Sequence, residues 1–221
     1  GRVGADPGHR LMVVLAAPGC AYAFTKTGGC TNCSFPHAFG LRRPVDADEY
    51  LDQLEAALEH IPPGEAGPVQ LDLFVSGSFF NPVEVPHDAQ RRLLERAAKD
   101  ARIARIGVET RPEFVSANTV EGAMVAVQPT PGVEGPGVSP EVEVAIGLES
   151  ADRDIRERRI RKGFTWRQFE KAARQLARSG AHLLTYLLLK PMATGEREAI
   201  EDVVRSAERV FDLGQRLGLL T

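Results

Sequence analysis

Residues 17–40 have the sequence Ala-Pro-Gly-Cys-Ala-Tyr-Ala-Phe-Thr-Lys-Thr-Gly-Gly-Cys-Thr-Asn-Cys-Ser-Phe-Pro-His-Ala-Phe-Gly and contain all 3 cysteines of the chain, Cys20, Cys30 and Cys33. This loop follows a short apolar run, residues 11–17, which predicts a parallel strand buried on both faces. Thiols gathered in one glycine-rich loop indicate a metal site, because zinc and iron–sulfur clusters both take thiolate ligands. Three unrelated cysteines are the competing interpretation, and their clustering argues against it.

Length and composition set limits on the class of protein. A chain of 221 residues is long enough for one sizeable core or a barrel-like domain. Its net charge of −3 predicts no strong nucleic-acid field over the whole molecule, although a local patch is compatible with it. No apolar stretch approaches membrane-spanning length, the N-terminus lacks a secretory pattern, and an odd number of clustered cysteines is a poor disulfide framework. We therefore expect a cytoplasmic protein with no membrane partner.

The two ends of the chain suggest that it is a piece of a longer one. The first residue is Gly rather than Met, and the sequence stops just after a predicted helix. We expect residues 1–221 to form one core domain of a longer protein, truncated at the C-terminus.

Five apolar runs alternate with amphipathic segments, which predicts an α/β fold with a parallel sheet. The predicted strands are residues 11–17, 69–75, 103–109, 142–148 and 182–189, and the predicted helices are residues 46–61, 88–99, 165–179 and 197–217. The stretch 115–140 is the least regular and predicts a weak helix followed by a loop.

Polar or small residues follow each of the five predicted strands. They are the cysteine loop, Ser76-Gly77-Ser78, Glu109 with Arg111, Glu149 with Ser150, and Lys190. Because chemistry in parallel α/β folds is located at the carboxyl ends of the strands, these five clusters are expected to meet on one rim.

Two metal centres are compatible with the cysteine loop. Zinc could be held by Cys20, Cys30, Cys33 and His37. Against zinc, the Cys30-x₂-Cys33 spacing is too tight for the middle gap of a CCCH finger, and such fingers are small autonomous modules. An iron–sulfur cubane would use the three thiolates and leave one iron without a cysteine, where a substrate or cofactor could bind.

From about Leu11 to Leu217 the chain resembles the core of radical S-adenosylmethionine (radical SAM) enzymes. These enzymes form a partial (β/α)₆ barrel with a three-cysteine loop after the first strand. Most carry C-x₃-C-x₂-C, whereas this loop has C-x₉-C-x₂-C, a longer first gap that occurs in some subfamilies.

Within that superfamily, the chain resembles the family of the archaeosine synthase radical SAM subunit. The matching stretches are Gly19-Cys20, Gly28-Gly29-Cys30-Thr31-Asn32-Cys33, Ser76-Gly77-Ser78-Phe79, Glu109-Thr110-Arg111-Pro112-Glu113-Phe114-Val115, Ile146-Gly147-Leu148-Glu149-Ser150, Lys162-Gly163-Phe164-Thr165 and Tyr186-Leu187-Leu188-Leu189-Lys190-Pro191.

The resemblance implies a role for each candidate residue. Cys20, Cys30 and Cys33 would bind a [4Fe–4S] cluster, whose fourth iron is chelated by SAM. Reductive cleavage of SAM would give methionine and a 5′-deoxyadenosyl radical, which abstracts a hydrogen from the substrate. The implied SAM contacts are Ser76, Gly77 and Ser78 near the amino group, Glu109 and Arg111 at the ribose and carboxylate, Glu149 and Ser150 near SAM, and Lys190 at SAM or substrate. Each role has a competing interpretation. Ser76-Gly77-Ser78 could simply be a turn that ends a strand, Glu109 and Arg111 could form a surface ion pair, and Lys190 could be the solvated end of a strand.

Aromatic and basic residues complete the expected surroundings. Tyr22 and Phe24 are expected to pack around the cluster, and Phe35 to shield it or to lie against adenine. His37 is expected to be a loop residue rather than a ligand. The basic run from Arg153 to Lys162 predicts either a solvated helix face or, in a tRNA-modifying enzyme, a phosphate contact.

The activity implied by the resemblance is tRNA modification of the archaeosine type. A lysine adduct on a 7-deazaguanine base would be cleaved to the formamidine, formally a lyase step, and the radical SAM class also includes oxidoreductase types. The implied partners are a ferredoxin- or flavodoxin-type reductant protein, tRNA and a partner transferase subunit. The alternatives are a radical SAM catalyst acting on a small molecule in a bacterial pathway, a zinc-binding interaction module, and an iron–sulfur carrier with a redox role only.

Overall fold

The computed structural model describes residues 2–3, 6–61, 67–129 and 139–219, and its centre is a five-stranded parallel sheet. Two short strands, β1 (Arg2–Val3) and β2 (Asp6–Pro7), pair antiparallel beside it. The sheet strands are β3 (His9–Val14), β4 (Val69–Phe74), β5 (Ile103–Glu109), β6 (Glu141–Glu149) and β7 (His182–Leu187). Their spatial order is their chain order, as in a (β/α) barrel. The predicted α/β class and parallel sheet are confirmed, and the five strands described leave the barrel partial.

Helices follow each of these strands in the chain, and the last helix comes after β7. They are α1 (Phe35–Phe39), α2 (Ala47–Leu58), α3 (His87–Ala98), α4 (Ala117–Ala126), α5 (Trp166–Ser179) and α6 (Glu196–Leu217), with a 3₁₀ turn at Pro112–Phe114 and a π-helical turn at Ile155–Arg159. Within the described ranges, no helix is both long and apolar enough to cross a membrane.

Local capping explains where two of these helices begin. Asp46 and Glu49 form the capping box of α2, since each side chain accepts a hydrogen bond from the backbone N–H of the other. Thr165 caps α5 in the same way with Gln168, and Gly180 ends that helix at φ 73°. The weak helix predicted after residue 115 is α4, and residues 130–138 of the loop predicted after it lie outside the described residues.

The first sheet strand differs from its prediction. It begins at His9 and ends at Val14, and Met12 and Val14 are 56% and 54% exposed. The prediction of a strand buried on both faces is wrong here, because Met12 and Val14 lie on the same face of the sheet as Asp72, the polar face that the helices do not cover. Beyond it, Ala17 forms a single bridge to Gly40, which joins the two ends of the cysteine loop.

The two faces of the sheet differ in polarity. One face carries apolar side chains such as Leu71, Ile106 and Val144, which belong to the main core. The opposite face is polar: Gln70 donates from Nε2 to Asp72 Oδ1 at 3.1 Å and to Glu143 Oε1 at 2.9 Å. Side chains alternate along a strand, so this pattern places the helices on one face and a polar surface on the other.

Candidate active site

A cavity of about 310 Å³ lies at the carboxyl ends of the central strands, beside the cysteine loop. This volume is at the lower end of the roughly 300–1,000 Å³ of small-molecule pockets. Eight of the residues expected to bind the cluster or SAM line it, and so does Phe35, which was expected to shield the cluster or to lie against adenine. The eight are Cys20, Cys30, Cys33, Ser76, Gly77, Glu109, Arg111 and Glu149. The residues that follow β4, β5 and β6 therefore lie together at one edge of the sheet, as expected for parallel strands.

The shape of the cysteine loop depends on its ends and on its glycines. Leu41 N donates to Ala17 O at 2.8 Å, next to the bridge that closes the loop. Gly29 has φ 77°, and a Cβ there would lie 2.7 Å from Ala23 Cα, so no other residue fits without moving the backbone. The chain can therefore fold back on itself and present its thiols toward the strand ends.

The three thiols share the cavity but differ in environment. Cys20 and Cys30 are half-buried, Cys33 is exposed, and all three are free. Burial raises the pKa of the Cys20 and Cys30 thiols; the Glu84 charge adds to the effect at Cys20, whereas the charge of Lys162 opposes it at Cys30.

A single zinc ion held by Cys20, Cys30, Cys33 and His37 is the other metal centre that the sequence of this loop allows. The described part of the chain contains no group of 3 or more His, Cys, Asp or Glu side chains arranged to hold one metal ion. The imidazole of His37 packs edge-on against Phe24, with ring centroids 6.0 Å apart, and His37 is not among the cavity-lining residues. His37 belongs to the short helix α1 rather than to irregular loop, and its role as a residue that is not a ligand stays a prediction.

Arg111 is held rigidly at the cavity wall. Its side chain is 9% exposed, and its guanidinium carbon lies 4.0 Å from the centroid of the Tyr22 ring and 5.5 Å from that of Phe164. Nε donates to Glu113 Oε1 at 2.6 Å, and Nη2 donates to Lys162 O at 2.8 Å. This fixed, stacked cation is suited to binding a carboxylate.

Two carboxylates and one ammonium group line the cavity close to Arg111. Lys162 Nζ lies 3.2 Å from Glu149 Oε1, and both side chains are largely buried. Burial raises the pKa of Glu109 to about 7; the charge of Lys162 opposes the shift and that of Glu149 adds to it. Glu109 is therefore close to half-protonated at neutral pH, so it can both donate and accept hydrogen bonds.

Two buried hydroxyl groups in the cavity wall lack a partner. Ser76 Oγ and Thr110 Oγ1 make no hydrogen bond within the described residues, and both residues line the cavity. An unpaired buried hydroxyl costs free energy. Neither oxygen is accessible from the cavity, so the fit of a cofactor rests on the groups that line it: the Arg111 guanidinium suits a carboxylate, and the Glu109 and Glu149 carboxylates suit amino and hydroxyl groups.

Three of the singled-out residues are not brought to the cavity. Ser78 is buried behind it, and its Oγ accepts a hydrogen bond from Arg111 N at 3.1 Å. Ser150 is also buried, and its Oγ donates to Asp202 Oδ1 at 2.9 Å. Lys190 is exposed and lies 3.4 Å from Glu196 Oε1.

Lys162, Phe164 and Thr110 line the cavity, although sequence reasoning did not single them out as binding residues. Thr110 stands between Glu109 and Arg111, so its place in that motif was the available signal. Lys162 and Phe164 lie in the turn after the π-helical segment. Because this turn does not follow a strand directly, the pattern of strands could not predict that it reaches the cavity.

The basic run from Arg153 to Lys162 is engaged within the protein. Arg156 is buried and donates to the carbonyls of Ser150 and Ala151, both at 3.1 Å. The other cations of the run contact acidic side chains or backbone oxygens: Arg153 with Glu157, Arg158 and Arg159 with Asp154, Arg161 with Thr27 O, and Lys162 with Glu149. The run thus combines a buried, structural Arg156 with solvated cations, since the side chains of Arg153 and Arg158 are 86% and 83% exposed.

No family model matches the chain. Among curated proteins, it is 33% identical over 199 residues to archaeosine synthase subunit beta of Methanosarcina acetivorans, which covers 90% of this chain and 53% of that protein. It is also 33% identical over 204 residues to the subunit of the same name from Thermococcus kodakarensis, covering 92% of this chain and 59% of that protein. The chain therefore spans little more than half the length of these relatives.

Solved structures with the same fold are radical SAM proteins. TsrM from Kitasatospora setae, a radical SAM methyltransferase, matches with a TM-score of 0.55 at 14% identity, over 93% of this chain and 34% of that one. OxsB, a cobalamin-dependent SAM radical enzyme, matches with a TM-score of 0.57 at 17% identity, over 90% and 26%. The chain is therefore a homologue of archaeosine synthase subunit beta with the fold of the radical SAM enzymes.

Proposed function

We propose that this chain is the radical SAM core of a tRNA-modifying enzyme of the archaeosine type. The observation that carries the proposal is the meeting of three free thiols, a stacked arginine and two carboxylates on one cavity. Cys20, Cys30 and Cys33 would hold a [4Fe–4S] cluster, and the rest of the cavity would hold SAM. Homology to archaeosine synthase subunit beta supports this assignment.

When bound, the cluster and SAM supply one-electron reductive cleavage to methionine and a 5′-deoxyadenosyl radical, with the electron coming from a ferredoxin- or flavodoxin-type protein. The chain's own residues bind and orient. Arg111 pairs with the SAM carboxylate, while Glu109 and Glu149 accept hydrogen bonds from ribose hydroxyls. The backbone at Ser76 and Gly77, which lines the cavity, is assigned to the amino group. The aromatic rings on both sides of Arg111 keep water from it.

The three singled-out residues outside the cavity lining would have supporting or peripheral roles. Ser78 holds the backbone of Arg111, and Ser150 holds the end of β6 against α6. Lys190, with its exposed ammonium group, is assigned to a substrate contact on the rim.

The charge around the cysteine loop favours an anionic substrate such as tRNA. Residues 11–45 contain no Asp or Glu, in a chain whose net charge is −3. Lys26 and Arg42 are exposed, and neither forms an ion pair within the described residues. Unpaired cations beside the proposed cluster site can bind the phosphate groups of a tRNA backbone.

A groove at this loop could receive a base next to that phosphate. Its volume is about 400 Å³, and Phe24, Arg42 and Val83 are among the residues that line it. Phe24 is 47% exposed, and the guanidinium carbon of Arg42 lies 5.6 Å from the centroid of its ring. Exposed aromatic rings with nearby cations are how proteins hold single-stranded bases. We assign a tRNA nucleotide to this groove.

The reaction proposed is cleavage of a lysine adduct on a 7-deazaguanine base to the formamidine. The designation of the relatives as a beta subunit supports a second, transferase subunit that makes the adduct. Substrate and partner contacts would then be shared between this chain, the remainder of the protein and that subunit.

The first experiment tests cofactor chemistry. After anaerobic reconstitution, dithionite and SAM should yield 5′-deoxyadenosine, and Cys33→Ser should abolish it. Absence of product, together with tightly bound zinc and no brown colour, would contradict the proposal in favour of a zinc-binding module. Iron uptake without SAM binding would indicate a redox carrier instead.

The second experiment tests the substrate. Reconstituted enzyme with its partner subunit and tRNA carrying the lysine adduct should release the formamidine nucleoside. Unchanged nucleoside, under conditions in which SAM is cleaved, would exclude this substrate and favour a small molecule.

The same preparation tests the groove through the salt dependence of tRNA binding. Arg42→Gln should reduce the slope of log K against log salt by about 1. Arg174→Gln on α5 makes the same charge change in an ion pair with Glu170 and serves as the control. Equal slopes in both variants would contradict the assignment of the groove.

A further inference from the structure

We propose that Glu84 is a positioning residue for Cys20 and that its charge lowers the reduction potential of the cluster held there. The part that concerns the reduction potential rests on the proposed function, whereas the positioning of Cys20 does not. Glu84 lies between β4 and α3, away from every predicted motif, and it is 1% exposed.

The Glu84 carboxylate joins two loops of the site. Oε1 accepts hydrogen bonds from Ala21 N at 2.9 Å and Asn81 Nδ2 at 2.8 Å, and Oε2 accepts one from Ser78 N. Ala21 directly follows Cys20, whereas the other two donors belong to the loop after β4. Both oxygens therefore serve as acceptors, which is the arrangement of an ionised carboxylate.

Gly77 lets this carboxylate approach the cysteine turn. A Cβ on Gly77 would lie 1.9 Å from Glu84 Oε2 and 2.8 Å from Cys20 Cα. The space that a side chain would fill is thus taken from one side by the carboxylate and from the other by the backbone of Cys20. A negative charge is fixed within a few ångströms of that backbone.

Two consequences follow from this arrangement. The bond from Ala21 N fixes the backbone that carries the Cys20 thiol, so Cys20 is held before any metal arrives. The fixed negative charge also opposes addition of an electron to a neighbouring cluster, since charge, hydrogen bonding and solvent exposure set the potentials of such clusters. Removing the charge should make reduction easier.

Two substitutions separate position from charge. Glu84→Gln keeps the length of the side chain but removes its charge. It also replaces one acceptor oxygen by an NH₂ group, which cannot accept a hydrogen bond from Ala21 N or Ser78 N. Glu84→Asp keeps the charge but withdraws it by one methylene from Ala21. Tyr50→Phe is the matched control, because Tyr50 Oη donates at 2.6 Å to the backbone carbonyl of Glu84 and not to its carboxylate.

The first measurement uses the metal-free protein. Alkylation of Cys20 by iodoacetamide, followed by mass spectrometry, should be several-fold faster in both Glu84 variants than in wild type or Tyr50→Phe. Cys33, which is exposed, should react at the same rate in all four proteins. Removal of the charge in Glu84→Gln lowers the pKa of the Cys20 thiol and speeds its reaction by itself, so Glu84→Asp decides: an unchanged Cys20 rate in that variant would overturn the positioning role, whether or not the protein binds a cluster.

The second measurement is the midpoint potential of the reconstituted cluster, followed by electron paramagnetic resonance. Glu84→Gln should raise the potential, so that the ratio of reduced to oxidised cluster at a fixed poise increases about tenfold, equivalent to roughly 59 mV for one electron. Glu84→Asp and Tyr50→Phe should leave it close to wild type. A Glu84→Gln potential equal to wild type would overturn the electrostatic role. If Glu84→Gln does not fold, Glu84→Met, which also lacks the charge, replaces it, and a potential equal to wild type in that variant would overturn the electrostatic role.

Discussion

Replacement of Glu109 by Gln should stabilise the metal-free protein at alkaline pH and leave it unchanged at acidic pH. Burial raises the pKa of this carboxyl from 4.5 to about 7. Such a shift corresponds to about 3 kcal/mol between the protonated and ionised forms of the folded state. The ionised carboxylate is therefore a destabilising charge that the neutral amide removes.

The sign follows from proton uptake. Between pH 4.5 and about 7 the folded state binds more protons than the unfolded state. Its stability therefore falls as the pH rises through that window, and the full penalty is present above it. Glu109→Gln should lack this decline, so its advantage should be close to zero near about pH 4 and reach about 3 kcal/mol near about pH 8.

Urea unfolding of reduced protein at several pH values measures the effect. Glu121→Gln is the control, since Glu121 is exposed on α4 and forms no ion pair within the described residues. Its stability difference from wild type should not change with pH. A Glu109→Gln advantage that is the same at both ends of the range, or that grows toward acid pH, would refute the reasoning.

Three further predictions concern the cavity wall and its support. Arg111→Lys should weaken SAM binding at least tenfold by calorimetry, because a lysine cannot reproduce the stack 4.0 Å from the Tyr22 ring centroid or the paired donors. Gly77→Ala should destabilise the protein by about 2 kcal/mol or more in urea unfolding, since its Cβ would lie 1.9 Å from a buried carboxylate oxygen. Ser150→Ala should cost about 1–3 kcal/mol by leaving Asp202 Oδ1 without its hydroxyl donor, yet leave the SAM dissociation constant unchanged. A weakened SAM affinity in Ser150→Ala would contradict the structural role.

The strand-end residues could be predicted because parallel strands in chain order bring their carboxyl ends to one edge. This regularity placed Ser76, Glu109, Arg111 and Glu149 at a common cavity. It holds at the level of the backbone and does not require knowledge of side-chain direction. The α/β class followed from the same alternation of apolar runs and helices.

Side-chain direction after a strand could not be predicted in this way. Ser150 lies next to Glu149 but points toward α6, because Asp202 offers it a buried acceptor from an element far along the chain. Lys190 was expected at a strand end, yet β7 ends at Leu187 and the ammonium group turns to Glu196. The direction of Ser150 depends on a tertiary partner that no local pattern encodes, whereas Lys190 lies beyond the end of its strand and forms an exposed ion pair with a residue six positions away.

Glu84 was not predicted at all, and Lys162 was predicted only as part of a basic run and not at the cavity, for a related reason. Neither follows a strand, and each reaches the site through loop geometry. Gly163 has φ 72°, and a Cβ there would lie 2.5 Å from the Tyr22 ring, so the turn that presents Lys162 depends on a residue without a side chain. The requirement becomes visible only once the cysteine loop is in place against it.

The site is built between loops as much as on the sheet. Three consecutive carbonyls, those of residues 160–162, accept hydrogen bonds from Thr31 N at 2.9 Å, Tyr22 Oη at 2.7 Å and Arg111 Nη2 at 2.8 Å. Residues 160–162 thus hold the cysteine loop at Tyr22 and at Thr31, and they also hold Arg111 of the cavity wall. Arg161 holds φ 59° within that segment, a strained conformation that surrounding contacts must maintain. Since these contacts are all made by protein groups, the cavity is shaped before any cofactor enters, which lowers the conformational cost of binding one.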